Sequence, residues 1–331
     1  MAGARLLALP QLDCYAQRWL VKLTDQLIDM ARKLSAGAEI KPVLSVVVPA
    51  YNEQGAILET LAELHQALGT LEHYELIVVD DGSSDDTGEL LEQARAKDKK
   101  LKLLRHARNQ GYGAALKSGI RKANAEWVAI TDADGTYPND RLPELLAHAI
   151  EHEADMVVGS RTGEGVTYPL IRRIPKVFLK AWAAWVANRP IPDINSGLRV
   201  MRRSVVERFF NILPRGFSFT TTITLAMMTN AYDVHYVPIS YASRVGKSKI
   251  RPIRDTLNLM QLILRTGVYF APLRVFMPLA FVLGLLFLAS LSYDVVVLSN
   301  LTDKTLITFI ASLQAGMFAL LADMIDKRSG R

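Results

Sequence analysis

Two carboxylates one residue apart, Asp132 and Asp134, stand in the stretch Ile130-Thr131-Asp132-Ala133-Asp134-Gly135-Thr136-Tyr137-Pro138-Asn139-Asp140. Acids this close repel one another, so such a pair shares a proton, faces water or meets a cation. No Arg, Lys or His lies between Lys122 and Arg141 to neutralise them from within the segment. Oxygen ligands suit hard ions, so Mg2+ or Mn2+ held here could bridge the phosphates of a nucleotide. The alternative is a solvated turn in which Asp134 caps the following helix. A D-x-D triplet is too short to choose between the two.

Such a pair needs elements to position it. The apolar run Trp127-Val128-Ala129-Ile130 predicts a buried strand ahead of it, and residues 141 to 150 predict a helix behind it. Gly135 allows the sharp turn between them. Upstream, strand and helix patterns alternate. Val43 to Val48 is an apolar strand running into Pro49-Ala50-Tyr51-Asn52-Glu53, with a helix to Leu68. Glu75 to Val79 is a second strand, ending in Asp80-Asp81-Gly82-Ser83-Ser84-Asp85, with a helix to about Ala96. Leu101 to Leu104 is a third; a helix from Ala114 to Ala123 leads to the fourth at Trp127; Asp155 to Val158 is a fifth, ending in Gly159-Ser160-Arg161. This alternation predicts an α/β fold with a mainly parallel sheet, whose ligands bind beyond the carboxyl ends of the strands. Glu53, Asp81, Asp132 and Asp134 all fall at such ends, where they suit a cation and the hydrogen-bond donors of a nucleobase and ribose. Asp80 reads equally well as a turn-former.

Half of the 331 residues are apolar, and the excess gathers near the C-terminus. Val275 to Tyr293 and Thr305 to Ala322 are free of charge, and each approaches the ~20 residues that cross a bilayer. Lys247, Lys249, Arg251, Arg254, Arg265 and Arg274 precede the first span and Lys327, Arg328 and Arg331 follow the second, whereas the connecting loop holds Lys304 alone. Basic flanks stay cytoplasmic, which places the large domain inside the cell, with the inner membrane of a prokaryote preferred. The net charge of +6 suits an anionic leaflet; no interleaved aromatic and basic platform points to nucleic acid. Cys14 is the sole cysteine, which excludes a disulfide framework and a zinc cluster. His148 and His152 share a helix face but complete no H-E-x-x-H pattern, and read as solvated surface groups.

The flanking segments follow the same logic. Residues 11 to 35 carry an amphipathic helical pattern that packs on its own domain, lies on the membrane or pairs with a second copy as a homo-oligomer. Ile250 to Phe270 predicts another amphipathic helix at the membrane interface. The domains expected are thus an N-terminal helix in 1–40, an α/β domain in 41–250, a juxtamembrane helix in 251–272 and two transmembrane helices with a tail in 273–331. Gly111-Tyr112-Gly113 lacks the third glycine of a dinucleotide fingerprint, and Gly246-Lys247-Ser248 lacks the first glycine of a phosphate loop.

Taken in order, Ser45-Val46-Val47-Val48-Pro49-Ala50-Tyr51-Asn52-Glu53, Val78-Val79-Asp80-Asp81-Gly82-Ser83 and Asp132-Ala133-Asp134 make the chain resemble the family-2 glycosyltransferases over roughly residues 43 to 250. The resemblance implies a GT-A, Rossmann-like nucleotide-diphosphosugar transferase domain, followed here by the C-terminal transmembrane helical hairpin. Val158-Gly159-Ser160-Arg161, Asn195-Ser196-Gly197-Leu198-Arg199 and Arg244-Val245-Gly246-Lys247-Ser248-Lys249 make it similar to the polyprenyl-phosphate group that includes the dolichol-phosphate mannose synthases. By that resemblance Pro49, Tyr51, Glu53, Asp81, Asp132 and Ala133 would hold the nucleotide, and Asp132 and Asp134 the Mg2+ or Mn2+. Arg161, Arg172, Arg244, Ser248 and Lys249 would surround the lipid phosphate and the departing diphosphate. Asp132, Asp134, Arg161, Arg244 and Lys249 form the implied catalytic set. Thr136 stands where dolichol-phosphate mannose synthases often carry Gln, so a hydroxyl or water would replace the third protein ligand.

The implied reaction is metal-dependent, inverting transfer of a sugar from a nucleotide sugar, a UDP-sugar ahead of GDP-mannose, to polyprenyl or dolichyl phosphate at the lipid bilayer. Two alternatives stay open: a membrane-bound polysaccharide synthase, for which the Q-x-x-R-W signature is missing, and a non-catalytic membrane scaffold with a transferase fold.

Overall fold

Strand β1 (Leu44–Ala50, sequence LSVVVPA) is buried along nearly all its length, as an apolar run without alternation must be when helices cover both faces of a parallel sheet. In the computed structural model, which describes residues 42–162, 181–216, 218–241 and 252–328, β1 lies inside a seven-stranded sheet. The expected N-terminal helix lies outside these residues, as do Arg172, Arg244, Ser248 and Lys249. Along the chain follow α1 (Ile57–Leu68), β2 (Tyr74–Asp80), α2 (Thr87–Lys97), β3 (Leu101–Arg105), α3 (Tyr112–Lys122) and β4 (Trp127–Ile130). After them come α4 (Leu142–Glu151), β5 (Met156–Ser160), β6 (Arg199–Arg202), α5 (Arg203–Arg208), α6 (Phe219–Thr229) and β7 (Val234–Pro238).

The spatial order is β3-β2-β1-β4-β6-β5-β7. β1 pairs in parallel with β2 and β4, β2 with β3, and β5 with β7. β6 alone runs antiparallel, between β4 and β5. The chain builds outward from β1 to β3 and then crosses back to lay β4 on the other side of β1, which creates the switch point where α/β sheets bind ligands. Pro49 is tolerated in this central strand because β4 leaves the ladder at the Val47–Ile130 pair, before the missing N–H would matter.

Alternate residues of each strand point to opposite faces. Val46 and Val48 pack with Leu76, Val78 and the Ile57, Leu61, Leu64 stripe of α1, in a layer that also takes Leu91 of α2 and Leu145 of α4. Val47 packs with Ile77, Val79, Leu116 and Ile120 of α3, and with Ile223 of α6. Burial of each such side chain contributes about 1.5–3 kcal/mol.

The five expected strands are present with shifted ends. β6 and β7 were not anticipated. Arg199-Val200-Met201-Arg202 has basic residues at both ends and too few positions to show a period, and only its place between two strands makes it one. The expectation that His148 is a solvated surface group is corrected. His148 stacks on His152 at 4.1 Å between ring centroids, and its Nε2 lies 2.9 Å from His235 Nδ1. His235 sits on the unanticipated β7, which is why no local pattern showed the cluster.

Beyond the sheet, α7 (Pro252–Phe270) turns Ile263, Thr266 and Phe270 inward and leaves Met260, Leu264 and Tyr269 exposed. Arg274 donates to the Val186 carbonyl at 2.9 Å, fixing the start of the next helix to the domain. That helix, α8 (Pro272–Tyr293), continues through a π-helical turn (Asp294–Leu298) and doubles back as α9 (Asp303–Arg328). Pro272–Leu298 and Asp303–Ile325 are each long and apolar enough to cross a membrane. Their outward faces carry Phe281, Leu285, Leu288, Ile307, Phe318 and Leu320, all more than half exposed, a pattern that water does not favour over so large an area.

Candidate functional site

The residues after β1, β2, β4 and β5 meet at one edge of the sheet. Because β6 runs the other way, its entry loop, Asn195 to Leu198, arrives at that same edge.

The loop after β1 is knitted to the loop after β2. Asn52, at φ 56°, donates its N–H to Ser83 Oγ at 3.0 Å and accepts from the Ser84 N–H at 2.9 Å, and the Glu53 N–H reaches Thr87 Oγ1 at 2.9 Å. Tyr51 remains 39% exposed, with its ring available to a flat ligand. Asp80 is fully buried and accepts the Ser83 N–H at 2.8 Å, the turn-forming role its sequence position allowed.

Asp81 is 3% exposed and is met by donors of its own chain. His106 Nδ1 lies 2.6 Å from Oδ1, the Gln110 N–H reaches Oδ1 at 3.0 Å, and the Gly111 N–H reaches Oδ2 at 2.8 Å. An ionised carboxylate accepts about four hydrogen bonds, so most of its capacity is used in fixing the turn into α3. Gly111 adopts φ 101°, and a Cβ there would come within 2.7 Å of the Arg215 carbonyl. A Cβ on Gly113 would stand 2.3 Å from the Pro214 carbonyl. The Gly-Tyr-Gly run therefore serves close backbone approach rather than a dinucleotide.

Between those glycines Tyr112 donates its hydroxyl to Asp132 Oδ1 at 2.9 Å. Burial, and then the Asp132 charge, push this hydroxyl well above its ordinary pKa, so it keeps its proton. Asp132 and Asp134 are both partly exposed. Thr136 donates its hydroxyl to Asp134 Oδ1 at 2.7 Å and its N–H to the same oxygen at 3.2 Å. Asp134 thus closes its own turn and caps no helix. Ala133, expected at the nucleotide, is 3% exposed, with its methyl in the core and its carbonyl accepting from Thr60 Oγ1 at 3.2 Å. Both groups are engaged within the protein, because alternate residues beyond a strand still face opposite sides.

The donor set suits a hard divalent ion: two partly exposed carboxylates on one turn. Gly197 packs closely against the first of them, where a Cβ would stand 3.1 Å from both Asp132 carboxylate oxygens. Among the described residues no third His, Cys, Asp or Glu completes a ligand cluster. Tyr137, its hydroxyl accepting from the Gly197 N–H at 2.7 Å, stands beside the pair. Its own pKa is raised, by burial and then by Asp132.

Arg161, at the end of β5, is held in a fork. Its Nε and Nη2 donate to Asp193 at 2.7 and 3.0 Å, and its backbone N–H donates to the same carboxylate at 3.1 Å. Burial alone would raise the Asp193 carboxyl, but these bonds outweigh it and hold the group below the usual carboxylate range. The guanidinium also lies 5.3 Å from the centre of the Tyr241 ring. Arg161 carries a counter-ion from its own chain, as a side chain only 20% exposed requires. Arg199 is fully buried and ties the entry loop together, donating to the Ser196 carbonyl at 2.7 Å, to Thr224 Oγ1 at 2.6 Å and to the Ile194 carbonyl at 3.0 Å.

Sequence reasoning missed Tyr112, His106, Tyr137 and Asp193. The signal for Asp193 was a lone acid just before the Asn195-Ser196-Gly197 run; for the other three, spaced 20 or more residues from their partners, there was none.

Two family models match the chain: glycosyl transferase family 2 over residues 45–210, and the GtrB C-terminal hairpin over residues 271–327. A low-salt glycan biosynthesis hexosyltransferase of Haloferax volcanii is 29% identical over 226 residues, covering 67% of this chain and 53% of its own length. The undecaprenyl-phosphate 4-deoxy-4-formamido-L-arabinose transferase of Pseudomonas fluorescens is 32% identical over 256 residues, 76% of this chain and 73% of its own. This chain thus spans about half the length of the first and about three quarters of the second. Among solved structures, the glucosyl-3-phosphoglycerate synthase of Mycobacterium tuberculosis, in complex with Mn2+, UDP and glucosyl-3-phosphoglycerate, has a TM-score of 0.51 at 19% identity. That likeness covers 68% of this chain and 80% of the other, and is one of fold. With its D-x-D pair at the switch point of a mixed sheet and an apolar hairpin behind it, the chain belongs to glycosyl transferase family 2 and has the GT-A fold.

Proposed function

We propose that the protein transfers a single sugar from a nucleoside diphosphate sugar, a UDP-sugar by preference, to a polyprenyl phosphate, with inversion at the anomeric carbon. One observation carries this reading. The reversed strand β6 lays Gly197 against Asp132 and its entry segment brings Asp193 to Arg161, so the acidic pair and Arg161 share one edge of a sheet that leads into two membrane-length helices. The relatives support the acceptor, since one of them is named for undecaprenyl phosphate.

A phosphate monoester is largely dianionic at neutral pH, its second pKa being about 6, and needs little help from a general base. One of its oxygens forms a bond to the anomeric carbon while the bond from that carbon to the diphosphate breaks; the electron pair leaves on the nucleoside diphosphate. Asp132 and Asp134 would hold a divalent ion, which supplies charge neutralisation to the diphosphate when bound. Tyr51 offers its exposed ring to the nucleoside, and Asp81 holds the neighbouring turn. Arg161, oriented by Asp193, belongs with Arg172, Arg244, Ser248 and Lys249 as the polar surround of the acceptor phosphate. The hairpin brings the enzyme to its substrate, because a polyprenyl tail leaves the bilayer only at ~0.8 kcal/mol per CH2. The basic flanks of both spans favour a cytoplasmic catalytic domain on a prokaryotic inner membrane.

The test is to incubate full-length protein in detergent with a panel of nucleotide sugars, Mg2+ or Mn2+, and polyprenyl phosphate, and to weigh the glycolipid. A polyprenyl-phosphate sugar of opposite anomeric configuration to the donor supports the reading. Binding of sugar nucleotide without turnover on any donor, or a product of retained configuration, overturns it.

A further inference from the structure

Each carboxylate of the D-x-D pair is gripped at Oδ1 by a hydroxyl: Asp132 by Tyr112 at 2.9 Å and Asp134 by Thr136 at 2.7 Å. The two hydroxyls come from different elements. Thr136 belongs to the same turn as its carboxylate. Tyr112 opens α3, and the start of that helix is pinned twice: by Asp81 holding the Gln110 and Gly111 N–H groups, and by the Ala114 N–H donating to the Arg215 carbonyl at 2.9 Å. A phenol mounted on so fixed a base holds its partner in one rotamer. Outer hydrogen bonds of this kind set the orientation and basicity of a ligand and contribute 10–100-fold to metal affinity.

We propose that Tyr112 and Thr136 are positioning residues that set the orientation of Asp132 and Asp134 toward a divalent cation. Thr136 then acts beside the metal site as a donor to one carboxylate, rather than as a third ligand. The chain from Asp81 through Gly111 and Tyr112 to Asp132 also joins the rim of β2 to the rim of β4, so the turn beside the nucleoside and the cation site are built as one unit. This inference rests on the reading of Asp132 and Asp134 as metal ligands.

The experiment measures Mn2+ binding to the full-length protein in detergent, from the paramagnetic resonance of free Mn2+, with and without UDP. It compares wild type, Tyr112→Phe, Thr136→Val and Thr136→Ser. The expected result is a rise of about tenfold or more in half-saturating Mn2+ for Tyr112→Phe and Thr136→Val, with Thr136→Ser within about twofold of wild type because it keeps the hydroxyl. Thermal unfolding of each variant separates loss of the fold from loss of the site; should Thr136→Val unfold, Tyr112→Phe decides alone. Mn2+ binding equal to wild type in Tyr112→Phe and Thr136→Val overturns the proposal and leaves the metal reading standing. Equal weakening in Thr136→Ser and Thr136→Val overturns the part assigned to Thr136. Absence of Mn2+ binding in wild type, with or without UDP, overturns the metal reading and this proposal with it.

Discussion

The sheet rim and the hairpin turn both hold aspartates that accept from hydroxyls, yet they differ in how far the chain closes around the charge. At the turn, Asp294 is fully buried, and its Oδ2 accepts from the Thr302 N–H at 2.7 Å, the Thr302 hydroxyl at 2.6 Å and the Thr305 hydroxyl at 2.7 Å. Lys304 Nζ stands 3.9 Å from the other oxygen. That carboxylate ties Thr302 and Thr305, at the start of α9, to the end of α8. At the rim, Asp132 and Asp134 are also held by hydroxyls but stay partly exposed, with glycine opposite Asp132 where any side chain would intrude. The same residue types make a sealed clasp at the turn and, at the rim, a partly exposed carboxylate pair, the one proposed to hold a cation.

Activity separates the two aspartate sites most strongly. Asp132→Asn should lower turnover about 10³-fold, several kcal/mol of transition-state stabilisation, whereas Asp294→Asn should change initial rates less than about twofold. A large loss from Asp294→Asn would show that the clasp reaches the chemistry. Next comes the Arg161–Asp193 fork, a charge pair of the rim that is largely closed, like the turn. Asp193→Ala strands a mostly buried guanidinium and should cost about 3 kcal/mol, read by denaturant unfolding in detergent. Asp193 has a folded pKa below its ordinary value of about 3.9. Its contribution is therefore complete above that value and lost as pH falls through the folded one. The Asp193→Asn protein should lack this part of the acid-induced loss seen in melting curves as pH falls below about 4.

Smaller still, Asp294→Ala should lower stability, visible as a lower melting midpoint with turnover at the permissive temperature retained. The least effect is expected at His148, whose pKa is lowered by burial and then by His152 and His235. The folded protein favours its neutral form, so stability is full above about pH 6.5 and declines as pH falls through the lowered value. His148→Gln should flatten melting temperature against pH between about 7 and 5; an unchanged slope would place the titration elsewhere.

Strands β1 to β5 and helices α1 to α4 were legible because each carries its own period and its own turn residues within a dozen positions. The D-x-D pair was legible for the same reason: two acids flanked by an apolar strand and a glycine form a local statement. The apolar spans stood out by length alone. Thr136 was noticed only as a departure from Gln, and its hydroxyl proved to face Asp134.

What sequence by itself determined here is the set of elements and the acids at their ends, because propensity, periodicity and turn chemistry act between neighbours. Tertiary structure alone decided that Arg199–Arg202 becomes a reversed strand, that Gly197 lies against Asp132, that Asp193 meets the fork of Arg161, and that Tyr112 reaches Asp132. Those contacts join residues as far apart as Trp127 and Arg202, and their partners are chosen by which strands pair and which faces bury, a competition settled only when the whole sheet has formed.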